Sequence, residues 1–390
     1  VLAQMDGARW EVQARGAAAV VGSFNPTAAP APTADSRPPQ SGLHYTWGAD
    51  AGLWLRSLAG DAQLLGGLGA SLLGSLGLQS TGGSENLLRV LPATLHLAAL
   101  GGDLRLYGAD STGGLTFPAA GGALSLAAAG DLVLGEASSN SSLVQADSDP
   151  ALWPDFRRPL PLAQAAQLYG TTGATIGATL SDALPRRGLR SGATEPVRVQ
   201  AGGSIVQPAL GTGALRLAQA AEIAAGDDIL NLRLVGQHLA ADDVTRIDAG
   251  RNLLAGDLGR IELGGPGLLA VRAGIDLDLG ASAGIVSTGN LRNARLPAKG
   301  ASLQLAAAGA GMPDLAALRA RYLAEDAPLA ATHRAALLAL VRQNLAGGEA
   351  LDFDAAWAQF GRFPTAVQAA FARQVLALEF DHRVLDTAAP

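Results

Sequence analysis

A chain of 390 residues with 48% hydrophobic but only 4% aromatic residues, and with 50 glycines, must build its core from Ala, Leu, Val and Ile in thin layers. Its net charge of −6, with 28 basic residues dispersed along the sequence, offers no basic face for a phosphate backbone, so nucleic acid is not an expected partner. The lack of cysteine removes disulfides, thiolate catalysis and Cys-based metal sites.

Val1 runs directly into β-like alternation, with no charged segment, short apolar core and small-residue cleavage site, as expected of a piece of a longer protein. Trp10-Glu11-Val12-Gln13-Ala14 alternates and predicts a short strand. Pro26, Pro30, Pro32, Pro38 and Pro39 then rule out a sheet interior, so residues 1–42 read as a short strand and a Pro-rich loop. The uncharged stretch from Ala62 to Ser84 has the length of a membrane helix. Gly66, Gly67, Gly69, Gly74 and Gly77 interrupt it, and buried β-coil or an apolar loop is the expectation.

From Leu43 a cassette recurs. Thr94-Leu95-His96-Leu97-Ala98-Ala99 returns as Ala123-Leu124-Ser125-Leu126-Ala127-Ala128, followed by Gly130-Asp131-Leu132-Val133-Leu134, and its first half returns at Ser302 to Gly309. Alternating Leu points every second side chain inward, and the Ala and Gly positions let the backbone turn a tight corner. Gly202, Gly226, Gly250 and Gly274 lie 24 residues apart, each preceded by Ala, with Gly130 in the same phase. Three residues before each stands Val199, Ile223, Ile247 or Val271. Such a repeat predicts an all-β solenoid whose coils bury their faces only against neighbours. At roughly 3.3 Å per residue, a 24-residue coil traces about 80 Å, the perimeter of three short strands and their corners. On this basis residues 43–311 hold about eleven coils. A propeller would need longer units with aromatic signatures that are missing.

Regularity fails at 140–192, where Pro150, Pro154, Pro159, Pro161 and Pro185 accompany Trp153, Phe156 and Tyr169. This irregular excursion is a candidate binding segment through Trp153 and Phe156, or a loop that covers apolar coil surface with the same rings. After Met312 the period becomes helical, and residues 312–390 read as an α-helical lobe and tail. Trp357, Phe360 and Phe363 are candidates for an exposed partner-binding patch there, an idea that fails if they are buried among Leu337, Val341 and Phe371.

The order of these pieces resembles the large filamentous haemagglutinin-like exoproteins that bacteria export by two-partner secretion, specifically a region in the C-terminal part of very long members. Tyr45-Thr46-Trp47-Gly48-Ala49-Asp50, Asp147 to Leu152, Ile223 to Asn252, Ile261 to Gly267, Ser282 to Leu291 and the helical tail carry the likeness, which covers most of the chain from Leu43 onward. The lack of cysteine fits such an exported protein. The resemblance implies a right-handed parallel β-helix, a secreted or cell-surface location, and a role in adhesion to a host or bacterial cell-surface receptor. Export would use an outer-membrane partner transporter, engaged through parts outside this chain. The resemblance carries over no catalytic residue.

Motifs for chemistry are weak. Gly265-Pro266-Gly267-Leu268-Leu269-Ala270 matches a dinucleotide fingerprint in letters but leads into a strand rather than a helix, so no small-molecule cofactor is expected. His44, His96, His238, His333 and His382 have no partners at ligand spacing, although a solenoid can bring His96 near His238. Asp227-Asp228 and Asp242-Asp243 lack the calcium-binding nonapeptide and read as corner aspartates capping their own turns. Asp227, Asp228, Asp248, Asp276 and Asp278 raise the alternative of a carbohydrate-active β-helix enzyme. From Val199 to Gly311 there is no aromatic ring to cradle a sugar, and a structural, adhesive surface rod without enzymatic activity is the expectation.

Overall fold

The computed structural model describes residues 2–28, 44–66, 90–107, 113–135, 141–159, 188–211, 213–290, 296–307, 314–344, 351–363 and 365–387. Most of the Pro-rich loop, the apolar stretch beyond Gly66, and the part of the excursion from 160 to 187 lie outside these residues. The chain divides into two compact units, Val1–Ala273 with Leu277–Ala306, and Gly274–Asp276 with Ala307–Pro390.

The first unit is the expected parallel β-helix. Nine rungs stack in one parallel sheet, formed by Arg9–Ala14, Gly52–Ser57, Thr94–Ala99, Leu124–Ala128, Val197–Ala201, Ala221–Ala225, Val244–Ala249, Leu268–Ala273 and Ser302–Ala307. A second sheet of eight strands runs from Ala18–Val20 to Leu277–Asp278, and a third of seven from Val90–Leu91 to Ile285–Ser287. Each rung from the second to the eighth contributes one strand to every sheet.

The side-chain ladders follow the 24-residue period. Val199 pairs with Ile223, Ile223 with Ile247 and Ile247 with Val271, and all four are at most 1% exposed. Around the next corner Ile205, Ile229, Leu253 and Leu277 form a second ladder. Like residues therefore stack on like, and each inward aliphatic side chain gains roughly 1.5–3 kcal/mol from burial.

The corner glycines serve a purpose different from the expected one. Gly202, Gly226 and Gly250 are not among the described residues with positive φ, so the turn itself does not demand glycine. Room does. A Cβ on Gly226 would fall on the carbonyl oxygen of Gly202, and one on Gly250 on that of Gly226.

A polar ladder runs beside them. Asp61 Oδ1 accepts from Asp103 N at 2.9 Å, Asp103 Oδ1 from Asp131 N at 2.9 Å, and Asp131 Oδ1 from Ser204 N at 2.7 Å. Ser204 Oγ then accepts from Asp228 N at 3.3 Å, and Asp228 Oδ1 from Asn252 N at 3.0 Å. Asp228 thus serves the following rung rather than its own turn. Asp243 behaves as expected, since its Oδ2 accepts from Leu239 N at 2.7 Å and Ala240 N at 3.0 Å within one corner.

Two boundaries shift. The strand expected at Trp10–Ala14 is the first rung, paired with Gly52–Ser57, so the β-helix begins before Leu43. From Leu43 onward the described residues form eight rungs in place of about eleven, because Leu53 pairs with Leu95 and Leu126 with Val199, making rungs two and four far longer than 24 residues.

Among the described residues the second unit holds four helices, α1 (Leu315–Tyr322), α2 (Ala330–Asn344), α3 (Phe353–Phe360) and α4 (Thr365–Thr387). Asp314 and Asp352 cap α1 and α3, accepting from Ala317 N at 2.9 Å and Ala355 N at 2.8 Å. Leu318, Leu323, Leu337, Val341, Ala356, Phe360, Phe371 and Val375 form its core.

Gly226→Ala is expected to cost roughly 2–3 kcal/mol, because the backbone above and below cannot yield. Gly16→Ala, where a Cβ meets nothing within 4 Å, should be close to neutral. Urea unfolding of the two variants checks this, and equal costs would remove close approach as the reason for the glycine ladder.

Candidate functional site

The start of the excursion is fixed by rings from three parts of the chain. Trp153 lies 5.4 Å from Tyr45 and 5.1 Å from Phe117, while Trp47 stacks on Tyr45 at 5.8 Å and meets Phe117 at 5.9 Å. All four are less than 9% exposed. Trp153 Nε1 donates to Ser148 Oγ at 2.8 Å, and Tyr45 N to Pro154 O at 2.9 Å. Trp153 is therefore a buried anchor, with no ring face free for a partner. Phe156 differs: it is 83% exposed, with only an edge contact to His44 at 6.2 Å.

In the helical unit Phe360 is fully buried and packs on Phe371 at 5.1 Å, in one core with Leu337 and Val341. Trp357 and Phe363 are half-buried against that core. An exposed patch of these three rings is not present. Arg319, 2.6 Å from Asp354, lies over Phe353 and Trp357. A buried pair, His333 Nε2 and Glu379 Oε1 at 2.9 Å, ties α2 to α4.

The outer surface of the nine-stranded sheet carries the most organised chemistry. Register places Glu11, Trp54, His96, Ser125, Arg198, Glu222 and Arg246 in one outward column. Trp54 folds back over Gly52, where any Cβ would meet its ring. Arg9 covers one side of that indole at 3.9 Å and ion-pairs with Glu11 at 2.5 Å, while His96 stacks on it at 5.3 Å and 19°. Burial, reinforced by the Arg9 charge, holds the His96 imidazole below its ordinary range.

Farther along, the column alternates in sign. Arg198 pairs with Glu195 at 2.8 Å and Glu222 at 3.8 Å, and Arg246 reaches Glu222 at 3.9 Å. Asp248, beside Arg272 in the next column, is pushed up by burial against the pull of Arg272 and Arg246. Exposed pairs contribute at most about 1 kcal/mol each, so the ladder matters more for register than for stability. At the neighbouring corner an open depression of about 530 Å³ is lined by Leu100, Ala127, Gln200, Gly202 and Ala224.

The remaining candidates disperse. Asp228 is engaged with Asn252, Asp278 Oδ1 accepts from Gly280 N at 2.8 Å in its own turn, and Asp248 faces outward among arginines. His96 and His238 do not meet: His96 is on the outer surface of rung three, whereas His238 is 0% exposed between rungs six and seven. His238 Nδ1 is 2.6 Å from Pro266 O and its Nε2 is 2.8 Å from Thr245 Oγ1. The Gly265-Pro266-Gly267 fingerprint is a corner between Arg260–Gly264 and Leu268–Ala273, with positive φ at both glycines and no helix. Among the described residues, no group of three or more His, Asp or Glu stands where it would hold a metal ion. Among them, too, no helix is long and apolar enough to cross a membrane.

No protein-family model, no curated protein and no solved structure matches the chain.

Sequence reasoning missed the Tyr45–Trp47–Phe117–Trp153 cluster and the Arg9–Trp54–His96 stack. Both join rungs of unequal length, so no fixed spacing announces them. The one available signal was the clustering of Tyr45, Trp47 and Trp54 beside strand patterns.

Trp153→Ala should cost about 3–5 kcal/mol and Phe156→Ala close to nothing, as read by chemical unfolding; a reversed order would mean that Phe156 is the anchor. Burial holds the His238 imidazole below its ordinary range, ahead of the opposing Pro266 hydrogen bond and Asp243 charge. An unfolded histidine titrates near 6.5, so the native state binds fewer protons than the unfolded one below that pH. Its contribution to stability is complete above about pH 6.5 and is lost as pH falls below it. His238→Gln should therefore flatten the fall in stability between pH 7 and 5, and an unchanged slope would exclude His238 as its source.

Proposed function

We propose that the chain is a structural and adhesive rod, part of a secreted exoprotein of the filamentous haemagglutinin type, that mediates attachment to cells or surfaces. The observation that carries this reading is the nine-rung parallel sheet with a continuous outward column of stacked rings and alternating charges. A stiff stack of rungs holds such a column in fixed register, and repeated weak contacts along it add up to avidity. In this reading the receptor lies on a host or bacterial cell surface, and an outer-membrane partner transporter engages other parts of a longer protein. The work is geometric, and no enzymatic turnover is assigned to it.

Beads coated with the purified chain should be retained on cultured epithelial or bacterial cells saturably and in competition with the soluble chain. The Arg198→Glu/Arg246→Glu variant should lose retention about tenfold at physiological salt, since the alternation of charge around Glu222 is then lost. Retention no higher than on albumin-coated beads for every cell type would sink the adhesive reading. Release of reducing ends from a polysaccharide panel would replace it with a carbohydrate-active one.

A further inference from the structure

Asp147 and Arg190 stand at the two ends of the long connection in rung four, where the chain leaves and rejoins the β-helix. Leu189 N donates to Asp147 Oδ1 at 3.0 Å, and Arg190 Nη1 donates to Gly122 O at the corner of the rung's first strand. The returning arm is folded tightly by Ser191 N to Gly188 O at 3.1 Å and Ala193 N to Arg190 O at 2.8 Å. Arg190 is 1% exposed. The two charged groups do not bond each other, since Asp147 Oδ2 and Arg190 Nε and Nη2 are all buried without a hydrogen-bond partner.

An ionised carboxylate taken from water needs several donors, and this one has a single amide on one oxygen. The neutral acid is the cheaper occupant of such a place. We propose that Asp147 and Arg190 form a proton-dependent clasp that holds the returning arm, residues 188–193, more tightly as the surroundings turn acid.

Burial pushes Asp147 up to about 6, outweighing the Leu189 hydrogen bond and the attraction of Arg190, which both act downward. Arg190, itself held by the Gly122 carbonyl, is the charged group that acts on it. Burial lowers Arg190 to about 10, which leaves it charged throughout the acid and neutral range. With the arm released, Asp147 returns to water and titrates near 3.9. The docked arm therefore binds the proton more readily between about pH 6 and 4, so docking gains stability as pH falls through that window; the gain is complete below it and absent above it. The outgoing side of the connection is held by the Tyr45, Trp47, Phe117 and Trp153 rings, and Asp155 beyond them, kept below the ordinary carboxylate range by hydrogen bonds from Arg158 and Arg157, acts below this window.

Amide hydrogen exchange on the full chain tests this, with rates corrected for intrinsic exchange and Leu126 in the ladder as the reference for global opening. Local opening at Leu189 should fall roughly 30-fold relative to Leu126 between pH 7.5 and 4.5. Asp147→Asn should abolish the response. Arg190→Gln, by removing the opposing attraction, should move its midpoint to higher pH. Opening at Leu189 that is flat or faster in acid overturns the clasp. So does an undiminished response in Asp147→Asn, or a midpoint that stays or falls in Arg190→Gln.

Discussion

The spacing between parallel backbones, about 4.8 Å from rung to rung, constrains the rest of this molecule. Wherever a corner brings one rung onto the carbonyl of the one below, no Cβ fits, and Gly202, Gly226 and Gly250 occupy those places. Wherever a strand faces inward, aliphatic side chains of similar size stack to fill a layer of that height, as Val199, Ile223, Ile247 and Val271 do. Aromatic rings are few in that interior, where the core cluster holds Tyr107 among Ala, Leu, Val and Ile. Tyr45, Trp47, Phe117 and Trp153 are accordingly gathered where the long excursion begins, and Trp54 lies on the outer surface over a glycine.

This accounts for what was legible in the sequence. From Val197 to Leu279 the period of 24 governs two of the three faces, so it assigned the inward positions and corner glycines there, whereas on the third face Leu215, Leu234 and Ile261 pair at unequal spacings that the period does not set. The helix starts at Asp314 and Asp352 were legible for a local reason, a capping side chain ahead of apolar residues at helical spacing. Where rungs differ in length the period carries no information about which residues meet. Trp54 and His96 stack across a connection whose length no pattern sets, and Asp147 reaches Leu189 across another. The count of rungs failed for that reason too: chain length was divided by a perimeter that two rungs greatly exceed. Exposure of rings was illegible as well, since Trp153 and Phe156 sit three residues apart with opposite fates.

The excursion is consequently held by two unlike attachments. Its outgoing end is held by packed rings, with the exposed Asp155–Arg158 pair beyond them, whereas its returning end rests on a buried carboxyl and a buried guanidinium that share no hydrogen bond. Replacing both by apolar groups of similar shape would leave the returning end held by packing too. That the chain keeps them points to a mechanical difference between the two ends rather than to a need for extra stability.

The polar corner ladder has a direction. Asp61, Asp103, Asp131, Ser204 and Asp228 each hold an acceptor for the amide of the rung that comes next in the chain. Ser142 toward Ala214 and Asn231 toward Gly256 do the same on other corners, while Ala221 to Thr245 runs the opposite way. The corner is therefore polar: its side-chain acceptors face the rung that follows, while the carbonyls of Asp103, Asp131 and Ser204 accept from Ala62 N, Leu104 N and Leu132 N of the rung before. Each rung thus offers different chemistry to its two neighbours, carboxylate and hydroxyl oxygens to one and main-chain carbonyls to the other.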